Sequence, residues 1–275
     1  MITWRLWRGL RYPPADHPLF KRTVEQVNRV IPPWYLMLLL IITAPIVIVP
    51  GLTVAGTVYS LLWTSTIAVN INREQQAANY DQLAVLPIGT IGVHWLIATA
   101  CLHRNRSFLN LHGPGFWLIR SMTLFVIVSS GFSGHFVMDD PAGQIRAGIA
   151  FAACMVVLLA ENYQSVVSGA LIGMVIPALE RDRFSVGALA FSAQAGLLFV
   201  LYVPLMLMVV LAVPAPADAA AHPVQFALIL TGLVGGFILL REWVNHRLWR
   251  FTIARLKTNL SEAAIMLDWS SNRLI

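Results

Sequence analysis

The longest apolar stretch runs from Trp34 to about Ile71 and carries a turn signal, Pro50-Gly51, near its middle. One helix needs about 20 apolar residues to cross the hydrocarbon of a bilayer. A run of nearly twice that length predicts two helices, roughly 34–50 and 52–71, joined by a tight turn. Later apolar runs predict further spans at about 116–138, 146–178, 188–213 and 224–240. Asn72 to Gly92 is more polar, and Ile91 to Leu102 is apolar for only a dozen residues. That length suits an interfacial or re-entrant segment rather than a span. Arg104 and Arg106 follow, and His112-Gly113-Pro114-Gly115 then breaks the pattern. If the short run crossed, those arginines would fall outside, so it is expected on the cytoplasmic side.

The pattern predicts an all-α, polytopic integral membrane protein with about six transmembrane helices. Composition agrees: 57% of the 275 residues are hydrophobic, 12% are charged, and mean hydropathy is +0.70. A soluble domain carries roughly 25% charged residues, and at half that density polar groups cannot cover the surface. Charge then orients the chain. Of 19 Lys and Arg, only Arg146 lies in or beside an expected outer loop, whereas Asp139, Asp140 and Asp218 all do. Positive residues mark the cytoplasmic side, so both termini are expected there, in a bacterial cytoplasmic membrane. The basic clusters border long apolar runs, which argues for a membrane surface and against nucleic acid as partner.

Three regions follow. Residues 1–33 read as a cytoplasmic amphipathic segment: Phe20, Val24, Val27 and Ile31 recur at helical spacing, and Trp4, Arg5, Trp7 and Arg8 suit the headgroup layer. No apolar run precedes Trp34, so a signal peptide is not expected. Residues 34–240 form the six-helix transmembrane domain, with a cytoplasmic loop over 72–115. Residues 241–275 continue the last span as a basic amphipathic helix.

Little in the chain points to catalysis. A phosphate-cradling Walker loop ends in Gly-Lys-Ser/Thr, yet the only lysines, Lys21 and Lys257, follow no glycine. His94, His103 and His112 are nine residues apart, which turns neighbours to opposite faces of one helix. They read as interfacial histidines, with haem ligation between different helices as the lesser alternative. Cys101 and Cys154 form no CxxC pair, and no hydrolase or metalloprotease motif appears. No enzyme activity, metal or cofactor is expected.

Glu161 is the residue that asks for a reason. It lies within the apolar run 147–179 and is followed by Asn162, Tyr163, Gln164 and Ser165. An ionisable group there normally faces a protein interior or a water-filled path. Glu161, Asn162 and Gln164 are therefore candidates for a translocation path or a subunit seam, with a purely structural hydrogen-bonded carboxyl as the alternative. Gly169/Gly173 and Gly232/Gly236 each form a Gly-x-x-x-Gly spacing that lets helix backbones approach closely.

The segment 72–89, Asn-Arg-Glu-Gln-Gln-Ala-Ala-Asn-Tyr-Asp-Gln-Leu-Ala-Val-Leu-Pro-Ile-Gly, is charged, amphipathic and closed by Pro87 and Gly89. It resembles the first cytoplasmic loop of ABC-2-type transporter permeases, matching at Arg73, Glu74, Tyr80, Asp81, Leu83, Leu86, Pro87 and Gly89, with Leu86 where a Thr is common. Six spans, both termini inside and an amphipathic helix before the first span also suit that family. A weaker echo runs from Tyr163 through Gly169 and Gly173 to Glu180-Arg181-Asp182-Arg183. The resemblance implies a permease-like subunit driven by a separate ATP-binding subunit, as a homo- or heterodimer with another permease chain. Glu74, Tyr80, Asp81, Leu83 and Pro87 would then dock the ATPase. The rival expectation is a non-catalytic accessory subunit of a larger respiratory or photosynthetic membrane complex.

Overall fold

The computed structural model describes residues 1–26, 55–77, 80, 89–104, 108–109, 113–132, 141–180, 182–212 and 223–258. The described residues are almost all helical, with short turns between the helices and no strand among them. In chain order the helices are α1 (Ile2–Arg11), α2 (Pro18–Gln26), α3 (Ala55–Gln75), α4 (Gly89–Arg104), α5 (Pro114–Phe132), α6 (Pro141–Val175), α7 (Arg183–Ala212) and α8 (Pro223–Arg255). The expected span 34–50, the outer-loop residues Asp139, Asp140 and Asp218, and residues 259–275 lie outside the described residues.

Local chemistry explains the boundaries. α2, α5, α6 and α8 each open on a proline, whose missing N–H is no loss in a first turn. The Asp182 carboxylate accepts the Ser185 N–H at 3.1 Å and so caps the start of α7. α8 ends with Lys257 in the left-handed region (φ 51). There the Thr258 N–H reaches back to the Ile253 carbonyl at 3.2 Å, closing the last turn.

Among the described residues, three helices are long and apolar enough to cross a membrane: 147–178, 185–205 and 224–255. The chain therefore has the makings of a membrane protein. α3 and α5 cover parts of two further expected spans. α6 is the axis, with α3, α8, α5 and α1 all packed on it, while α7 lies against α3. α7 keeps an apolar outward face along its length, through Leu189, Phe191, Phe199 and Val203.

α4 covers the short run expected to be interfacial or re-entrant, and it is enclosed by protein. Its 16 residues span only about 24 Å, and every residue from Ile91 to Leu102 is buried. A helix apolar on all sides needs cover on all sides. α1, α2, α3 and α6 supply it. The apolar face of α1, Leu6, Trp7 and Leu10, joins that core rather than pointing to lipid, while Trp4 stays exposed.

The two glycine pairs separate. A Cβ on Gly173 would lie 2.9 Å from the Thr64 carbonyl oxygen, and one on Gly169 3.1 Å from that of Ser60, so both glycines let α3 and α6 touch backbone to backbone. Gly232 and Gly236 meet nothing within 4 Å. Gly173→Ala should therefore destabilise the protein by about 1–3 kcal/mol through forced separation of the helices. Gly236→Ala should be neutral or stabilising by up to about 1 kcal/mol through helix propensity. Thermal unfolding of both variants in detergent micelles compares them directly.

Burial in α4 also predicts a pH response. Desolvation pushes His94 down from 6.5 to about 4, opposed by a hydrogen bond with the Met174 backbone. Its folded value is below the unfolded one, so protonation favours unfolding. Stability is full above about pH 6.5 and falls as the pH drops toward 4, by about 3 kcal/mol in total. His103 is lowered too, also chiefly by burial, and adds to the same trend. The acid-side loss should shrink in His94→Gln; an unchanged slope would assign it to other groups.

Candidate functional site: a buried arginine–glutamate cluster

α6 turns a polar stripe toward its neighbours. Glu161, Ser165 and Ser168 recur at i, i+4 and i+7, the spacing of one helix face, and all three are buried. α3 answers with Thr57, Ser60 and Thr64 at the complementary i, i+3 and i+7 positions. α7 contributes Gln194 and Tyr202, α8 contributes Arg241 and Asn245, and α5 contributes Arg120. Five helices thus place polar groups in one interior.

The charges sit at its centre. Glu161 is 3% exposed, Arg241 2% and Arg120 0%. Arg120 Nη2 lies 3.6 Å from Glu161 Oε2, and its guanidinium sits over the Trp117 ring, 5.3 Å from the centroid. Glu161 Oε1 accepts hydrogen bonds from the Thr57 hydroxyl and, at 2.8 Å, from the Ser165 hydroxyl. Ser165 Oγ in turn accepts from Arg241 Nη2 at 2.6 Å. One serine hydroxyl therefore relays between the carboxylate and the second arginine. Arg241 also donates to the Tyr202 hydroxyl at 3.5 Å and lies 5.8 Å from the ring centroids of Tyr202 and Phe237. Two guanidiniums and one carboxylate share this interior, an arrangement whose desolvation is expensive unless the hydrogen bonds are met.

A second layer adjoins the first. Gln194 Nε2 lies within donor range of Ser168 Oγ (3.2 Å), Ser60 Oγ (3.3 Å) and the Ser165 carbonyl (3.4 Å). This ties α7 to α3 and α6 at once. Asn245 donates to Thr3 Oγ1 at 3.3 Å and to the Gln164 carbonyl at 3.4 Å, which joins α1 to α8 and α6.

The sequence candidates divide. Glu161 is the hub. Asn162 is buried against Gly56 on α3, and Gln164 turns toward α8, donating to the Ile238 carbonyl at 3.4 Å; neither shares Glu161's ion pairing. Gly169 and Gly173 form the α3 contact, and Gly232 and Gly236 lie on the outward side of α8. Glu74 pairs with Arg22 at 3.1 Å near the surface. The Tyr80 hydroxyl lies 2.8 Å from His94 Nε2, with Gln75 Nε2 3.3 Å from the same atom. Asp81, Leu83 and Pro87 lie outside the described residues. Sequence reasoning missed Arg120, Arg241, Gln194 and Tyr202. The available signal was an arginine at the edge of an apolar run, which the charge bias had assigned to orientation alone.

Removing Glu161's charge while keeping its partners tests the cluster. Glu161→Leu takes a buried carboxylate from Arg120 and should lower stability by about 3–5 kcal/mol. Arg120→Leu in the same background should restore much of that loss, because the two residues act as one unit. Additive losses in the double variant, measured by unfolding in detergent, would show that the pair does not couple.

No protein-family model, curated protein or solved structure matches the chain, and the chemistry of the cluster has to carry the functional reading.

Proposed function

We propose that this chain is a permease-like transmembrane subunit, driven by a separate ATP-binding subunit and paired with a second permease chain. It would lie in the bacterial cytoplasmic membrane with about six spans and both termini inside. One observation supports this reading above the others: α3 is a single helix joining the two places such a subunit needs. At one end, Glu74 and Gln75 lead into the segment that resembles the permease coupling loop. At the other, Thr57 holds Glu161. The helix has 21 residues, about 30 Å of rigid rod.

The loop end is anchored as well. Tyr80 bonds His94 on buried α4, and Glu74 bonds Arg22 on α2. A push on Glu74 and Tyr80 would therefore move α2, α3 and α4 together. The displacement would arrive at the carboxylate that binds α3, α5 and α6, where breaking or remaking an ion pair changes how the helices pack. In this mechanism Glu161, Arg120 and Arg241 hold the resting arrangement, and Asp81, Leu83 and Pro87 meet the ATPase. Tyr80 serves as an internal strut more than as a docking anchor.

Docking and transmission should then separate by mutation. Asp81→Ala with Leu83→Ala should weaken retention of the ATPase, by a few kcal/mol if a buried anchor is lost. Tyr80→Phe keeps the ring but breaks the bond to His94, costing about 1–3 kcal/mol. That variant should retain the partner yet lose coupling between ATP hydrolysis and the membrane subunit. Affinity purification from native membranes with an ATPase assay measures both. If the wild-type chain retains redox or pigment proteins and no ATPase, the accessory-subunit role replaces this one.

A further inference from the structure

We propose that the outward face of α8 beyond its apolar run, together with the start of α1, is a docking site for an anionic phospholipid. The inference needs only that α8 crosses a membrane and does not depend on the transporter reading.

One arc of α8 stays open along the whole helix. At 100° per residue, Val224, Leu228 and Leu239 share a face, and they are 72%, 68% and 64% exposed. The same face continues through Trp243, which is 55% exposed, to the exposed Arg247 and Arg250. From Val224 to Trp243 the helix rises about 29 Å, matching a hydrocarbon core about 30 Å thick. Trp243 then falls at the boundary favoured by tryptophan, with Arg247, Arg250 and Arg255 among the headgroups. What covers the upper part of the arc is acyl chain, and what continues from an acyl chain is its headgroup.

Two grooves flank Trp243. One, of about 540 Å³, lies between α1 and α8 and is lined by Ile2, Arg5, Leu239, Glu242, Trp243 and His246. The other, of about 510 Å³, is lined by Trp243, Arg247, Arg250 and Phe251 among others. Each offers an apolar wall beside cationic groups. Glu242, the one acid among the described lining residues, is turned to α1, where it accepts the Thr3 N–H at 3.2 Å. Arg247 lies over the Trp243 ring at 5.2 Å and Arg255 over Phe251 at 5.1 Å. A guanidinium held over a ring in this way can still offer N–H groups to a phosphate. Basic grooves beside membrane helices recognise acidic headgroups in this manner.

Charge also argues against a second copy as the occupant. A two-fold dimer through this face would set the same basic stripe against itself, with Arg247 and Arg250 near their own counterparts.

The test uses the purified full-length chain in detergent micelles, with phosphatidylglycerol or phosphatidylcholine added at equal concentration. Native mass spectrometry reads the lipid retained. The wild type should retain phosphatidylglycerol in preference to phosphatidylcholine. Arg247→Gln with Arg250→Gln should reduce that preference by roughly fivefold per arginine, while Arg247→Lys with Arg250→Lys should keep most of it. Both positions are exposed, so the Gln variant should melt with the wild type in phosphatidylcholine. Equal retention of the two lipids by the wild type, or a preference unchanged in the Gln variant, overturns the proposal. So does efficient disulfide formation between copies carrying Arg247→Cys in native membranes, which would assign the face to a protein interface.

Discussion

A carboxylate buried between helices, with one arginine 3.6 Å away and a second reached through a serine hydroxyl, constrains everything around it. Taking such charges out of water costs several kcal/mol per ion before any partner is counted. The penalty is offset only as far as partners are brought in: Glu161 Oε1 takes two hydroxyls, while Oε2 faces the Arg120 guanidinium at 3.6 Å. Glu161 can be met only when α3 brings Thr57, α6 brings Ser165 and α5 brings Arg120 to the same point. The register of these helices is therefore fixed by polar chemistry. Apolar surfaces sliding over one another would hold them far less sharply. The glycines serve the same end: Gly169 and Gly173 let α3 come close enough for Thr57 and Ser60 to reach the stripe on α6.

Such a cluster is a poor device for stability alone. Apolar side chains of similar volume often hold helices equally well or better. The presence of two arginines and a glutamate in the interior therefore points to something an apolar seam cannot do. An ion pair can exist in two arrangements, made and broken, and can be biased by displacement of one partner. That property fits a moving membrane subunit, and ionisable residues in membrane helices mark function more often than packing.

Some of this was legible in the residues. The helical class, the membrane character and the interior position of Glu161 followed from hydropathy and from one acid in an apolar run. The Gly169/Gly173 spacing was visible, but its difference from Gly232/Gly236 was not, because that depends on which helix lies opposite. α4 shows the same boundary. A dozen apolar residues are equally consistent with an interface and an interior, and only the cover from α1 and α2 decides between them. Amphipathic faces state that something apolar is met without saying whether it is lipid or protein. Arg120 and Arg241 were hidden for another reason: the asymmetry that orients a membrane chain uses arginines as flags, and a flag at the edge of a run looks the same as a ligand inside it.

The positions of these parts bear on how force would travel. α4 is too short to cross and too buried to slide, so it acts as a block wedged among α1, α2, α3 and α6. Tyr80 and Gln75 grip it through His94, while Arg22 grips Glu74 from outside. α3 leaves that block at one end and meets Glu161 at the other. A rigid block joined to a rigid rod has few ways to yield, and what yields first is the weakest directional contact along it. The rod's sides are welded to α6 by backbone contact at Gly169 and Gly173. α5, by contrast, packs chiefly on α6 and has its one buried charge at Arg120, 3.6 Å from the carboxylate. Movement of α3 relative to α6 is resisted along the glycine seam. The longest contact at the hub is the one to α5, so in the proposed mechanism that helix would be the one to move.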